Sequence, residues 1–217
     1  MVKHRNLHTK EIFEQAYGNR DWNWYRSLVA ESIKYGMPGK WLDLGAGLGF
    51  FVECSQRFGI DCTGLEGSAY AVNEAKKRYT GIDIKQHFLE DGLPFENNSI
   101  STIVCHQTIE HISPEAARIM LKESYRVLKK DGVILIYSPC IYNRKQRTEE
   151  THINLYKPKQ LAAELNRTGF VNIRRMDNPR MFLGNYRIAK FIMSGIFKIF
   201  PFDFLSASAN CIAVKHV

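Results

Sequence analysis

An α/β fold with a mostly parallel sheet is the fold class that this sequence predicts. Two observations carry the prediction. Short apolar runs alternate with longer amphipathic segments along most of the chain, and a glycine-rich turn directly follows the first apolar run. That alternation is typical of strand–helix–strand units. The chain has 217 residues, which suits one domain, because chains usually divide only above about 250 residues.

Strands are expected where apolar runs end at turn residues, and helices where apolar residues recur at helical spacing. The predicted strands are 40–44, 61–65, 83–88, 100–105, 132–138, 170–176 and 208–214. The predicted helices are 10–36, 48–58, 68–79, 114–129 and 158–168. The helix at 114 has the clearest start, since Ser113 is a good cap and Pro114 suits the first helical position. We expect it to stop at 129–132, where two lysines precede an aspartate and a glycine.

The charge and cysteine content argue against several classes of protein. The formal net charge is +8, but the basic residues form short, separated clusters rather than long blocks, so nucleic acid is not the expected partner. The five cysteines include no C-x-x-C pair, and we expect no metal site. Residues 1–10 lack the apolar segment of a signal peptide, and we expect a cytoplasmic protein.

The strongest signal is the run Trp-Leu-Asp-Leu-Gly-Ala-Gly-Leu-Gly at 41–49. Glycines at 45, 47 and 49 allow the backbone to approach a ligand closely, and the following helix start adds unpaired N–H groups. The next predicted strand runs into Glu66, 21 residues after Gly45. An acid at that strand end is placed to accept hydrogen bonds from the ribose of a nucleoside. The loop therefore predicts a nucleoside-containing cofactor.

Two cofactors compete for this loop, and a ligand-free glycine turn is the remaining alternative. A dinucleotide loop has the spacing G-x-G-x-x-G, which requires glycine where Phe50 stands. The spacing here is G-x-G-x-G, preceded by Asp43. S-adenosylmethionine (SAM) has no pyrophosphate, and its methionine part carries an ammonium for which Asp43 is a negative neighbour. The loop favours SAM over NAD.

Further segments strengthen this interpretation. They are Gly64-Leu65-Glu66-Gly67-Ser68, the turn Leu93-Pro94-Phe95-Glu96-Asn97-Asn98-Ser99, the strand end Ile109-Glu110-His111, and the entry Leu128-Lys129-Lys130-Asp131-Gly132. With the glycine loop, they resemble the motifs of class I SAM-dependent methyltransferases of the small-molecule branch. The resemblance covers about residues 35–175.

The resemblance implies a Rossmann-like seven-stranded sheet of order 3-2-1-4-5-7-6, with strand seven antiparallel and helices on both faces. It also implies a cofactor site. Its residues are Asp43, Gly45, Ala46, Gly47, Gly49, Glu66, Gly67, Phe88, Leu89, His106 and Gln107. Phe88 departs from the pattern, because many members have Asp there to accept from the adenine amino group. The adenine contact is then expected from the backbone at 88–89, or from Glu90 or Asp91.

Methyl transfer needs donor and acceptor aligned, and a hydroxyl acceptor also needs a general base. His152 lies in a segment that resembles one facing the substrate cavity in many family members, and a surface loop histidine is its alternative role. His111 belongs to the Glu-His pair after strand four, and a structural role there is its alternative. We name His152 and His111 as candidate catalytic residues.

Two segments lie outside the shared motifs of this single domain, 1–217. Residues 1–36 are predicted to form a helical lid or cap. Residues 181–205 are predicted to form an amphipathic helix with a cationic stripe, inserted before the last strand. A lid, a dimer contact, a core-packing insertion and a peripheral membrane contact all fit that pattern.

The sequence therefore predicts a SAM-dependent methyltransferase that acts on a small-molecule or saccharide acceptor, on oxygen. A SAM-binding regulatory protein without turnover is the alternative from another class. The enzyme requires a side chain that can act as a general base within reach of the acceptor, and the regulatory protein does not.

Overall fold

The structure is a computed structural model and describes residues 22–176 and 206–216. The described helices are α1 Trp22–Ile33, α2 Phe50–Arg57, α3 Ala69–Arg78, α4 Pro114–Val127, α5 Arg144–Arg147 and α6 Pro158–Thr168. The strands are β1 Trp41–Leu44, β2 Cys62–Glu66, β3 Ile84–Gln86, β4 Ile100–His106, β5 Leu128–Tyr137, β6 Val171–Arg175 and β7 Cys211–Val214. Short 3₁₀ turns cover Leu89–Asp91 and Ile109–His111. The predicted insertion 181–205 and residues 1–21 of the predicted lid lie outside the described residues.

The described strands form one seven-stranded sheet in the order β3-β2-β1-β4-β5-β7-β6. β1 pairs in parallel with β2 and β4, and β7 runs antiparallel to β5 and β6. The predicted fold class, strand order and direction of strand seven are confirmed. Successive strands are added on one side of β1 up to β3, and the chain then crosses to β4 on the other side of β1. A crevice therefore opens beyond the carboxyl ends of β1 and β4.

Helices cover both faces of the sheet, as predicted. On one face, α4 and α6 pack Met120 and Leu165 against Leu42 and Ile103. On the other face, α1, α2 and α3 bury side chains such as Val29, Val52 and Val72 in a cluster with Trp41 and Leu135. Strands β1 and β4 are buried along nearly their whole length because both faces of the sheet are covered, and apolar residues therefore predominate in them.

The predicted boundary between α4 and β5 is wrong. We expected the helix to reach 129, but it ends at Val127, and β5 begins at once with Leu128. The start is as predicted, since the Ser113 hydroxyl accepts a hydrogen bond from the Ala116 N–H at 3.1 Å. Leu128 is fully buried and pairs with Ile100. Strand pairing therefore overrides the lysine and glycine stop signal.

Two strands, the edge strand β3 and the interior strand β7, are shorter than predicted. β3 covers Ile84–Gln86 rather than 83–88, and β7 covers Cys211–Val214 rather than 208–214. Ser208 instead makes an isolated bridge to Pro139. All five cysteines are buried and unbonded to one another. Among the described residues, no helix is both long enough and apolar enough to span a membrane.

Candidate functional site

The glycine loop turns tightly against the end of β2. Gly45, Gly47 and Gly49 have φ of 77°, 53° and 77°, a region that glycine adopts readily. The N–H groups of Gly45 and Ala46 both donate to the Leu65 carbonyl oxygen, at 2.8 and 2.9 Å. A Cβ added to Gly45 would overlap the Thr108 side chain. The loop therefore requires glycine at 45 for two reasons, backbone conformation and space.

Gly49 has a packing role in the structure. A Cβ placed on it would lie 2.5 Å from Cδ1 of Ile82 and 3.1 Å from Cβ of Ala75. Gly49 is also the residue before α2. Its absent side chain lets α2 approach α3 and the sheet, whereas Gly45 and Gly47 shape the crevice itself.

Glu66 is held rigidly at the end of β2. Its side chain is buried, with 6% of its surface exposed. Oε2 accepts from the Gly47 N–H and Oε1 from the Ser68 N–H, both at 2.8 Å. A carboxylate oxygen accepts more than one hydrogen bond, so each retains capacity for a hydroxyl of a ligand. The predicted acid is thus fixed beside the loop and oriented by it.

Asp43 lies buried beside Glu66 near the start of the loop. Burial, and secondly the charge of Glu66, raise the pKa of the Asp43 carboxyl to about 8. Desolvation penalises the charged form, and a cation bound nearby would restore it. The site therefore fits a ligand that brings a positive group to this carboxyl.

Phe88 closes the crevice on the β3 side. A Cβ on Gly67 would lie 3.0 Å from Cδ1 of Phe88, so glycine lets the ring pack directly on the backbone after Glu66. The His87 N–H donates to the Glu66 carbonyl oxygen at 2.9 Å, and Leu89 is buried. The Phe88 ring therefore lies against the backbone at Gly67, at a position where many family members have Asp.

The end of β4 forms the opposite side of the crevice. Gln107 has a φ of 53°, which is uncommon for a residue with a side chain. Its N–H donates to the Tyr137 carbonyl oxygen at 2.8 Å, and the Thr108 hydroxyl donates to the Leu44 carbonyl oxygen at 2.9 Å. The His106 ring meets the Trp24 ring edge-on, with centroids 5.0 Å apart. Strands β1, β4 and β5 are locked together at this point.

A cavity of about 380 Å³ opens beyond His106 and Gln107. Its wall comes from α1, from the ends of β4 and β5, from the segment around α5 and from the residues before β7. The other lining residues are Trp24, Leu28, Glu31, Tyr137, Ser138, Pro139, Asn143, Gln146, Met176, Ala207, Ser208 and Asn210. Sequence reasoning missed most of them, because residues from distant segments meet there only after folding.

His111 and His152 meet, but neither lines this cavity. Their ring centroids lie 4.8 Å apart. His152 connects to the cavity wall through Gln146, whose carbonyl oxygen lies 2.8 Å from Nδ1 of His152. Glu110, the neighbour of His111, accepts from the hydroxyl of Ser138 in that wall at 3.1 Å. His106, predicted as a cofactor contact, is the histidine among the described residues that line the cavity.

Comparison with known proteins finds a methyltransferase domain. A family model described as a methyltransferase domain matches residues 42–136, from β1 into β5. Over this region the chain is similar to the methyltransferase domains of that family. Its fold matches a SAM-dependent methyltransferase from Archaeoglobus fulgidus with a TM-score of 0.73 and 18% identity, over 94% of this chain and 99% of the other. The resemblance to SAM-dependent methyltransferases predicted from the motifs is confirmed over the matched region.

Other similar proteins have more specific names. Phosphoethanolamine N-methyltransferase 2 from Haemonchus contortus, solved with SAM, gives a TM-score of 0.67 at 19% identity, over 94% of this chain and 56% of the other. A carboxy-S-adenosyl-L-methionine synthase from Nautilia profundicola is 27% identical over 110 residues, covering 49% of this chain and 47% of the relative. The chain spans about half the length of the curated relatives it matches.

Proposed function

We propose that this methyltransferase domain binds SAM in the crevice between β1 and β4 and transfers its methyl group to a small, polar acceptor held in the adjoining cavity. One observation carries the proposal. The glycine loop packs against Thr108, and the two residues before Thr108, His106 and Gln107 at the end of β4, line the cavity. Donor and acceptor sites that share this border bring the two reactants into contact.

The residues of the crevice fit SAM in three respects. The oxygens of Glu66 are oriented for ribose hydroxyls, the Phe88 ring offers a flat surface for adenine, and the raised pKa of Asp43 suits a neighbouring ammonium. When bound, SAM supplies a methyl group activated by its positive sulfur. The chain's own task is to align that group with the acceptor and to exclude water.

The cavity lining supports a hydroxylated or saccharide acceptor. Side-chain amides of Asn143, Gln146 and Asn210 and hydroxyls of Ser138 and Ser208 line it. Amides and hydroxyls both donate and accept hydrogen bonds, which suits several hydroxyl groups on one ligand. Trp24 adds an aromatic surface for the apolar face of a ring. We therefore propose transfer to oxygen.

His106 is the side chain best placed to take the acceptor proton. It lines the cavity at the end of β4, between the rings of Trp24 and Tyr137. A general base must come within hydrogen-bonding reach of the proton it removes. His111 and His152 do not line the cavity, so they are weaker proposals for that role.

A SAM-consumption assay over a panel of hydroxylated metabolites and nucleotide sugars tests the proposal. We expect one class of acceptor to yield both S-adenosylhomocysteine and a product heavier by one methyl group. His106→Asn should lower turnover with little change in SAM affinity. SAM binding without turnover on any acceptor would favour the regulatory alternative instead.

A second candidate activity comes from the carboxy-SAM synthase relatives. A carboxylated form of SAM would carry an added negative charge toward the cavity. Among the described lining residues there is one acid, Glu31, and no lysine or arginine, so the first proposal is favoured. Mass spectrometry of SAM after incubation with a small-molecule extract distinguishes the two, since a carboxylated SAM species supports the second.

A further inference from the structure

Glu110, His111 and His152 form a cluster that the proposed methyl transfer does not use. One potential ligand atom from each lies within 4.8 Å of the others. Glu110 and His111 come from the 3₁₀ turn after β4, and His152 comes from the segment after α5. Two imidazoles and a carboxylate are the donor types that first-row transition metals share in protein sites.

Both imidazoles are held in a tautomer that can bind a metal through Nε2. Nδ1 of His111 lies 3.1 Å from the Thr151 carbonyl oxygen, and Nδ1 of His152 lies 2.8 Å from the Gln146 carbonyl oxygen. A carbonyl oxygen only accepts, so each Nδ1 carries the proton and donates it. The neutral ring then keeps its lone pair on Nε2. Metal-binding histidines typically donate their other ring N–H to such a partner.

Glu110 is fixed as firmly as the two histidines. Its side chain is fully buried, and the Ser138 hydroxyl donates to its Oε2 at 3.1 Å. Its backbone carbonyl oxygen accepts from the N–H groups of Ile153 and Asn154, at 2.9 and 3.1 Å. The segment that carries His152 is therefore already docked beside Glu110, and little ordering remains for an ion to impose.

We propose that Glu110, His111 and His152 bind a divalent first-row transition metal, with zinc as the preferred ion. Ligand atoms around a tetrahedral ion with bonds of about 2.1 Å lie roughly 3.4 Å apart, so side-chain shifts of about 1 Å bring the three onto one ion. The ion fastens the segment 143–156, which supplies Asn143 and Gln146 to the cavity wall, to the end of β4. This differs from the sequence expectation that there is no metal site.

Metal titration of the chelator-stripped protein tests the proposal. We expect isothermal calorimetry to show that one equivalent of Zn²⁺ binds at this cluster. Co²⁺ should give the visible absorption of a site with nitrogen and oxygen ligands. The double variant His111→Ala/His152→Ala should weaken that equivalent more than tenfold, since even second-shell changes alter metal affinity by about 10–100-fold. His216→Ala is the matched control, because this exposed histidine lies near Asp131, away from the cluster.

Hydrogen–deuterium exchange of the wild-type protein gives a second readout that needs no variant. Zn²⁺ should slow exchange at the amides of residues 149–154 and leave α4 unchanged. The proposal is overturned if no saturable binding occurs, if the double variant keeps the equivalent, or if Zn²⁺ does not protect 149–154. Loss of binding in His216→Ala alone would also overturn it. None of these readouts depends on methyl transfer.

Discussion

At the scale of single residues, two carboxyls with different surroundings define the crevice. Glu66 receives two backbone N–H bonds, one from the glycine loop and one from the residue that caps α3. Asp43 is buried beside it, and desolvation dominates the pKa of its carboxyl. Both positions were predicted from the spacing of the motif. The raised pKa was not, because it depends on burial and on the distance to Glu66, which only the fold sets.

Glu66→Gln should weaken SAM binding by at least about tenfold, or about 1.4 kcal/mol. The amide keeps the size of the side chain but places an NH₂ group opposite one of the two N–H donors and removes an acceptor for the ribose. Calorimetric titration with SAM measures the change. Glu115→Gln, on the exposed first turn of α4, is the matched control. SAM affinity equal to wild type in Glu66→Gln would show that this carboxyl does not hold the cofactor.

Asp43→Asn should stabilise the ligand-free protein at pH 8 and have less effect at pH 5. The pKa of Asp43 is about 8 in the folded chain, above the value of about 3.9 in an unfolded one. The folded state therefore binds the extra proton, and wild-type stability falls as pH rises from about 4 to about 8. Urea unfolding at both pH values measures this difference. An equal effect at the two pH values contradicts the raised pKa.

At the scale of elements, α4 shows which helix boundary the local sequence decides and which it leaves open. The start of α4 follows from Ser113 and Pro114, and the structure contains that cap. Its end does not follow from local signals, because burial of Leu128 and pairing with Ile100 convert the expected last turn into strand. Local chemistry thus predicted one boundary, and tertiary pairing set the other.

Ser113→Ala should lower the free energy of unfolding by about 1 kcal/mol, the usual cost of losing a helix cap. The Ser113 hydroxyl accepts from the Ala116 N–H, and alanine leaves that donor without its acceptor. Chemical denaturation measures the loss. Ser27→Ala is the control, since that exposed hydroxyl only donates to the Asn23 carbonyl oxygen within α1. Equal stability of the two variants would argue against the cap.

Helix α1 carries two tryptophans with different surroundings, which allows a matched pair of variants. Trp24 lines the cavity and contacts His106, whereas Trp22 packs under Arg57, 4.5 Å from the ring centroid. Trp24→Ala should raise the KM for the acceptor severalfold and leave SAM affinity unchanged, since the lost ring lines the cavity proposed for the acceptor. Trp22→Ala should leave that KM unchanged. Steady-state kinetics that show equal KM changes contradict an acceptor role for Trp24.

At the scale of the whole molecule, the parallel order of the strands determines where chemistry occurs. The carboxyl ends of β1, β2, β4 and β5 lie at one edge of the sheet, so the loop, Glu66 and His106 come together there. The resemblance predicted this arrangement. The cavity beside it was not predicted, because Trp24, Gln146 and Asn210 lie far apart in sequence and carry no shared motif. The site for the methyl donor can thus be predicted from sequence motifs. The site for the methyl acceptor cannot, because it depends on the packing of distant segments.

The cofactor that we propose for this crevice is SAM rather than a dinucleotide. Thermal unfolding of the wild-type chain with SAM, S-adenosylhomocysteine or NAD tests it most directly. A ligand at 100 times its Kd stabilises the folded state by about 2.7 kcal/mol. We predict that SAM and S-adenosylhomocysteine raise the unfolding temperature and that NAD does not. Stabilisation by NAD without any effect of SAM would contradict the assignment of SAM as the cofactor of this crevice.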